Sequence, residues 1–224
     1  MLSDQVILNL ETSTDACSAA VTQGDEVLSV RLHESGSEHA RELPLMVQSL
    51  MDELAHIGRR IEAVAVSEGP GSYTGLRIGA SVAKGLAYGL DVPLLTVPTL
   101  QIMAAEVADT IHSGLLCPMI DARRMEVYNA LYTPALEEVC PATATIIDEH
   151  SFAEQLTSGK VYFFGNGSYK CSTVIQSQNA VFIGQIVPNA AWMRRARYTQ
   201  RDIAYWEPFY LKEYEAKKST NIIK

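Results

Sequence analysis

The stretch of residues 69–77, GPGSYTGLR, has residue types that could bind a charged ligand. Its glycines and proline favour a sharp turn, and backbone N–H groups at the start of a following helix, with an arginine nearby, could hold an anion. The spacing fits neither the P-loop pattern nor GxGxxG. The segment is therefore either an anion or nucleotide loop or a structural turn between a strand and a helix. The ligand site would consist of Gly69, Gly71, Ser72, Thr74 and Arg77.

Two carboxylates, Glu11 and Asp121, fall at the ends of predicted strands. In actin-like ATPases, carboxylates at such positions hold Mg²⁺ and orient the attacking water. However, residues 12–14 lack the glycine that lets a phosphate approach the backbone closely. We interpret this as a nucleotide cleft without its catalytic equipment, and we expect no catalytic residue in this chain.

The histidines do not form a metal-binding motif. A helical zinc or iron site needs two ligands one turn apart, but Leu43 stands four residues after His39. We therefore expect His39 to be an ordinary polar residue, and the sequence predicts no metal ligand.

Composition indicates an acidic globular protein, with 47% apolar residues, a formal net charge of −8 and a pI of about 5.1. Proteins that bind RNA without the help of a partner usually carry a basic surface. Any role of this acidic chain with RNA should therefore be indirect. Four arginines, Arg194, Arg195, Arg197 and Arg201, could form a basic stripe or the solvated face of a helix. The cysteine spacing, the N-terminal sequence and the lack of a long apolar stretch predict a cytoplasmic, non-membrane protein with free thiols.

The elements that must position these residues alternate in a clear order. Strands are predicted over residues 5–11, 16–22, 26–33, 61–67 and 92–97, and helices over 37–56 and 75–88. The order βββαβαβ is that of an actin or Hsp70 half-domain and predicts an α/β fold with a mixed sheet.

The order of the predicted elements alone indicates that the second half of the chain is an abbreviated copy of the first. Helices are expected over 99–108, 151–157 and about 190–204, and strands over 115–120, 127–132 and 161–164. We predict two actin-like subdomains of βββαβα type at 1–100 and 101–210, with the C-terminal helix packing back on the first subdomain. A flexible tail is expected at 211–224.

The first two predicted helices have generous apolar faces. Small residues along helix 75–88 would let another helix approach closely, and helix 37–56 has a wide apolar stripe. Burial against the chain's own sheet and docking of a partner are both compatible with this pattern. The residues predicted for a partner interface are Leu43, Met46, Val47, Leu50, Leu76, Gly79, Ala80, Ala83 and Leu86.

Five segments together resemble the TsaB family, also called YeaZ. They are ILNLETST at 7–14, CSAA at 17–20, HARELP at 39–44, the loop at 69–77 and DARRMEVY at 121–128. The resemblance extends over nearly the whole chain, and the loop and the last segment are its most specific parts. One departure is Glu11, where many members of the family have Asp.

The resemblance implies an actin-like (ASKHA) fold and an accessory subunit without a catalytic site. Such subunits pair through their first two helices with TsaD, a paralogous catalytic subunit, and the ATPase TsaE joins the pair. The complex transfers threonylcarbamoyl from its adenylate to the adenosine beside the anticodon of tRNAs that read codons beginning with A. ATP, the adenylate and metal would belong to the partner subunits, tRNA would be contacted only indirectly, and the chain alone would self-associate.

Two alternatives are a stand-alone actin-like ATPase or kinase and a metallopeptidase. The short chain and the missing phosphate-loop glycine argue against the first, and the missing histidine pair argues against the second. Since one fold hosts many functions, it is the motifs that favour the accessory subunit.

Overall fold

The computed structural model describes residues 4–34 and 38–212. Strands and helices alternate along the chain, and a 3₁₀ helix (Ala190–Arg195) precedes the last strand. The elements are β1 (Val6–Glu11), β2 (Cys17–Gln23), β3 (Glu26–His33), α1 (His39–His56), β4 (Ala63–Ser67), α2 (Tyr73–Leu90), β5 (Leu94–Val97), α3 (Thr99–Ala108), β6 (Leu115–Asp121), β7 (Glu126–Tyr132), β8 (Glu138–Ile146), α4 (Ala153–Ser158), β9 (Val161–Phe164), α5 (Ser168–Cys171), β10 (Ala180–Phe182) and β11 (Thr199–Arg201).

The first sheet has the strand order β11–β5–β4–β1–β2–β3. β1, β2 and β3 form an antiparallel meander, and β4 and β5 run parallel to β1. The helices α1 and α2 cover one face, where Leu43, Leu50 and Ala83 meet Leu8 and Leu10. The other face packs against α3 and the 3₁₀ helix. Because both faces are covered, β1 and β4 are buried along their whole length, which explains their continuous apolar sequences.

The second sheet, of order β10–β9–β6–β7–β8, repeats this arrangement. The antiparallel meander of β6, β7 and β8 lies beside the parallel strands β9 and β10. The helix α3 packs on one face, and Leu156 of α4 and Cys171 of α5 belong to the core on the other. The repeated topology confirms the predicted α/β class and actin-like fold. The copy is abbreviated, since α4 and α5 have 6 and 4 residues whereas α1 and α2 have 18 each.

The prediction of a helix over about residues 190–204 is wrong. The chain forms one short 3₁₀ helix, and β11 then pairs antiparallel with β5 at the edge of the first sheet. The side chain of Asn189 accepts a hydrogen bond from the N–H of Ala191 and starts the 3₁₀ helix, and Met193 is buried in the core against the first sheet. Pairing with the free edge of β5 therefore overrides the helical pattern of the sequence.

The four C-terminal arginines do not share a helix face. Arg194 donates to the carbonyl of Asp25 and stacks on Trp192, while Arg195 pairs with Asp109 at 2.9 Å and Arg201 with Glu68 at 2.7 Å. The backbone N–H of Arg197 donates to Gln101. The contacts with Asp25, Gln101, Asp109 and Glu68 attach the C-terminal segment to earlier parts of the chain.

Several boundaries differ from the predicted ones. The helix α2 begins at Tyr73 rather than at residue 75, and β8, β10 and α5 were not predicted. The start predicted for the first helix at residue 37, and the predicted tail from residue 213 onward, lie outside the described residues. The subdomain limits stay a prediction. Within the described part of the chain, no helix combines the length and apolarity needed to cross a bilayer.

Candidate functional site

The loop at 69–77 packs tightly against the turn that joins β1 to β2. A Cβ atom on Gly71 would lie 2.3 Å from the carbonyl oxygen of Ser13, and one on Gly75 would lie 2.0 Å from that of Thr12. The N–H of Ser72 donates to the Ser13 carbonyl at 2.7 Å, and the Thr12 hydroxyl donates to the Gly75 carbonyl at 2.8 Å. These glycines therefore allow two segments of backbone to touch, which favours the structural interpretation of the loop.

The other residues predicted for an anion site have contacts of their own. The Ser72 hydroxyl accepts from the Gly75 N–H at 3.3 Å and caps α2. The Arg77 guanidinium donates to the Tyr73 hydroxyl at 3.0 Å and lies over its ring. Thr74 is exposed. Binding of an anion here stays a prediction.

The C-terminal segment covers one side of this loop. The carbonyl oxygen of Phe209 lies 2.3 Å from the position of a Cβ on Gly69, and the Phe209 N–H donates to the Glu68 carbonyl. The ring of Tyr210 lies 4.9 Å from that of Tyr73, measured between centroids. The loop is thus fixed from two sides by its own chain.

Glu11 is enclosed at the end of β1. Its side chain is fully buried, and its Oε1 accepts hydrogen bonds from the N–H and the hydroxyl of Ser13. Burial raises the pKa of Glu11 above its ordinary value, and the hydrogen bonds from Ser13 oppose part of this rise. A carboxyl group in this position supports the β1–β2 turn and is poorly placed to hold a hydrated metal ion.

Replacing Glu11 with glutamine should change how stability depends on pH. Because the pKa of Glu11 is higher in the folded chain than in the unfolded one, its favourable contribution is present at low pH and is lost as the pH rises through the folded pKa. Urea unfolding of wild type and Glu11→Gln should therefore show an advantage of the variant that grows above about pH 4.5. The exposed Glu149→Gln serves as the control. Parallel pH profiles for Glu11→Gln and wild type would contradict this prediction.

Asp121 has a different environment. Although partial burial raises its pKa, hydrogen bonds from the Lys170 ammonium and the N–H of Arg123, together with the lysine charge, hold the pKa below its ordinary value. Glu11 and Asp121 thus hold two structural turns, one in each sheet.

His39 is a structural residue at the start of α1. It is buried, and its Nε2 lies 2.7 Å from the carbonyl oxygen of Thr14, so that the ring ties α1 to the β1–β2 turn. Leu43, one turn later, points into the core. Among the described residues, no three His, Cys, Asp or Glu side chains lie close enough together to hold a metal ion.

Most residues predicted for a partner interface face the chain's own core. Ala83 is 0% exposed, and Leu86 is the one member of the set that is partly exposed. The buried members are Leu43, Met46, Val47, Leu50, Leu76, Gly79, Ala80 and Ala83. Their contact with a partner stays a prediction, but the surface of α1 and α2 is made by other residues.

The outer faces of α1 and α2 expose apolar surface. A groove of about 460 Å³ lies between the start of α1 and the outer side of α2. Its lining residues are Ala40, Tyr73, Thr74, Arg77, Ile78, Ser81 and Val82. Leu45 on α1 and Tyr88 on α2 are 61% and 81% exposed. The sequence could have identified this face: it consists of the residues of the two predicted helices that remain once the core-facing positions are set aside.

The cleft between the two sheets is small and partly acidic. It encloses about 60 Å³, far below the several hundred Å³ of typical ligand pockets. Asp15 and Glu34 are among its lining residues, with Thr14, Asn166 and Gln185. Two carboxylates would repel the phosphates of a nucleotide. The cleft therefore does not resemble a site for ATP.

Comparison with known sequences supports the similarity to TsaB and TsaD. A family model described as "TsaD: tRNA N6-adenosine threonylcarbamoyltransferase" matches residues 33–221. The "tRNA threonylcarbamoyladenosine biosynthesis protein TsaB" of Bacillus subtilis (strain 168) is 35% identical over 138 residues, which cover 60% of this chain and 59% of that protein. The Escherichia coli (strain K12) protein of the same name is 36% identical over 126 residues, covering 56% and 54%. The chain thus spans somewhat more than half the length of these relatives.

Comparison with solved structures extends the similarity over most of the chain. The structure titled "YeaZ from Pseudomonas aeruginosa" superposes with a TM-score of 0.71 at 28% identity, covering 85% of this chain and 89% of that one. A second structure, of an uncharacterized protein with similarity to peptidase YEAZ from the same organism, gives a TM-score of 0.78 at 26% identity and covers 93% and 100%.

Proposed function

We propose that this chain, which belongs to the family described by the TsaD model and is similar to the TsaB (YeaZ) proteins, acts in the biosynthesis of threonylcarbamoyladenosine in tRNA. Its role is that of a non-catalytic subunit that pairs with a TsaD-family transferase. The transfer joins threonylcarbamoyl to the adenosine beside the anticodon of tRNAs that read codons beginning with A.

The observation that carries this proposal is the apolar outer face of α1 and α2. Ile78 and Val82 are half-buried in the groove, and Ser81 lies between them. Gly85 and Tyr88 continue the exposed face along α2, and a Cβ on Gly85 would meet nothing within 4 Å. Small side chains bring helix axes close together, so this face suits a pair of helices from a partner with the same fold.

Three features support the absence of chemistry in this subunit. Glu11 is enclosed by the β1–β2 turn, His39 holds the carbonyl of Thr14, and the cleft between the sheets is small and partly acidic. ATP, the threonylcarbamoyl adenylate and metal then belong to the partner subunits.

The remaining parts of the proposal concern assembly. TsaE joins the pair of this chain and TsaD, and tRNA is held mainly by the partners, since a net charge of −8 disfavours binding by this chain alone. In the absence of its partner, the chain self-associates through the same apolar face. All of these steps take place in the cytoplasm.

Light scattering after size-exclusion chromatography tests the pairing. This chain mixed with TsaD of the same organism should give a new peak at the mass of the mixed complex, and addition of this chain should raise the formation of modified tRNA. A chain that elutes unchanged beside TsaD, or that turns over ATP by itself, would contradict the proposal.

A further inference from the structure

The turn between β6 and β7 has two arginines in an unusual conformation. Arg123 and Arg124 have φ angles of 72° and 51°, in the left-handed region that favours glycine and asparagine. Positive φ angles occur in turns, where glycine and asparagine are the preferred residues. Arginine does not favour a positive φ angle. The backbone conformation of the turn therefore does not explain why both positions are arginine.

Both arginine side chains are exposed and have no hydrogen bond or ion pair with any described residue. The acidic groups beside them are already paired. The Lys170 ammonium contacts Asp121 Oδ1 at 2.5 Å and also donates to the Glu126 carbonyl at 2.7 Å. The Lys212 ammonium contacts Glu126 Oε2 at 2.5 Å. With these two carboxylates matched by two lysines, the two guanidinium groups leave a local excess of positive charge among the residues that the structure describes.

The base of this hairpin is rigid. The Ala122 N–H donates to the Glu126 carbonyl, the Glu126 N–H donates to the Arg123 carbonyl, and the Asp121 N–H donates to Asn166 Oδ1. Asp121 Oδ1 also accepts the N–H of Arg123 at 2.7 Å. The two guanidinium groups are therefore presented from a fixed backbone, so that less conformational entropy is lost when they bind a ligand.

We infer that Arg123 and Arg124 contact the phosphate backbone of RNA. A guanidinium group matches two phosphate oxygens in a bidentate contact, and two adjacent arginines can span neighbouring phosphates of one strand. This inference rests on the proposed function, in which the RNA is the tRNA bound by the assembled complex. These contacts depart from the expectation that the chain contacts tRNA only indirectly. On a chain with a net charge of −8, they add to the binding by the partners and do not replace it.

The test compares tRNA binding by the assembled complex with three variants of this chain. Arg123→Asn/Arg124→Gly removes both charges and suits the positive φ angles. Arg59→Gln/Arg60→Gln removes two exposed charges from the loop after α1 and is the control for net charge. Arg123→Lys/Arg124→Lys retains the charge but loses the bidentate geometry. The probe is an unmodified tRNA transcript, and its affinity is measured by fluorescence anisotropy over a series of salt concentrations.

Loss of two phosphate contacts should weaken tRNA binding by about 10- to 100-fold at about 0.1 M salt and lower the slope of log K against log salt by about 1.5. The Asn/Gly variant should show this loss, the lysine variant a smaller one, and the Arg59/Arg60 variant less than about a twofold change. The Asn/Gly variant should also melt about 2–6 °C higher, because the strained backbone is relieved. Equal slopes and affinities for the Asn/Gly variant and the wild type would overturn the inference.

Two further outcomes separate this inference from the proposed function. If the Asn/Gly variant no longer co-elutes with TsaD, the arginines contact a protein and the inference is wrong, although the proposed function stands. If the wild-type chain does not pair with TsaD at all, the proposed function fails, and the isolated chain is then titrated with the same transcript at about 20 mM salt. Under those conditions the wild type should bind at least about tenfold more tightly than the Asn/Gly variant, and equal binding would overturn the inference.

Discussion

Ser81→Arg is expected to weaken pairing with a TsaD-family protein by about 100-fold or more, while the chain stays folded. Ser81 lies on the exposed side of α2 in the apolar groove, between Ile78 and Val82. An arginine there would place a long charged side chain where a partner helix must approach closely, and burying an unpaired charge in an interface costs several kcal/mol. The affinity can be measured by isothermal titration calorimetry with purified TsaD.

A matched control separates docking from folding. Ser158 is an exposed serine at the end of α4, and its hydroxyl bonds the carbonyl four residues earlier, as the Ser81 hydroxyl does on α2. Ser158→Arg should pair normally with TsaD, and both variants should melt within about 2 °C of the wild type, since exposed substitutions change stability by less than about 0.5 kcal/mol. Wild-type affinity in Ser81→Arg would show that the docking face lies elsewhere.

Ala83→Glu would not test docking, although Ala83 is only two residues further along α2. Ala83 is 0% exposed and packs against the first sheet in the core that α1 shares. A buried glutamate without a partner would prevent folding or cost about 4 kcal/mol or more. Loss of pairing in this variant would therefore report instability of the chain.

The sequence predicts the first sheet well because its strands are continuous apolar runs and its crossover helices are long and amphipathic. The strand β8 lacks this signal, since most of its residues are at least partly exposed and it contains Pro141. The strands β10 and β11 have three residues each and are strands only because a neighbouring edge pairs with them. The helical pattern of residues 190–195 corresponds to the 3₁₀ helix. A longer helix does not form because the residues that follow it pair with β5 as strand β11.

The sequence predicts an interface on α1 and α2, but it does not show which residues of these helices are exposed. The apolar and small residues of α2 form a stripe wide enough to face either the chain's own sheet or a partner, and helical periodicity alone does not distinguish the two faces. In the structure, Ala83 and Gly79 face inward, whereas Ser81 and Gly85 face outward. Which face of α2 packs against the chain's own sheet depends on tertiary packing, and the local sequence pattern does not determine that packing.

Gly75→Ala is expected to destabilise the chain by about 3 kcal/mol or more, and to lower its melting temperature by roughly 6–12 °C. The added Cβ would lie 2.0 Å from the carbonyl oxygen of Thr12, a backbone atom that can move only if the β1–β2 turn moves. That movement would also weaken the hydrogen bond from the Thr12 hydroxyl to the Gly75 carbonyl. Thermal and urea unfolding followed by circular dichroism would measure the effect.

Gly85→Ala is the control in the same helix. A Cβ on Gly85 meets nothing within 4 Å, and the residue is exposed, so the substitution should stabilise the chain by about 0.5–1 kcal/mol through helix propensity alone. The same change of residue should thus have opposite signs ten positions apart. Equal melting temperatures for Gly75→Ala and the wild type would show that the loop and the β1–β2 turn are not in contact.

A third glycine separates a clash with a side chain from a clash with the backbone. A Cβ on Gly79 would lie 2.3 Å from the Thr12 hydroxyl oxygen, which Thr12→Ala removes, whereas that substitution leaves the Thr12 carbonyl opposite Gly75 in place. In a double-mutant cycle, Thr12→Ala should therefore reduce the cost of Gly79→Ala by about 2 kcal/mol, but that of Gly75→Ala by only about 0.5–1 kcal/mol, the share of the Thr12–Gly75 hydrogen bond that it removes. Equal coupling for the two glycines would mean that the turn and α2 move as one unit. The close fit of α2 to the β1–β2 turn would then be adjustable, and the outer face of α2 would not be held in a fixed position for docking.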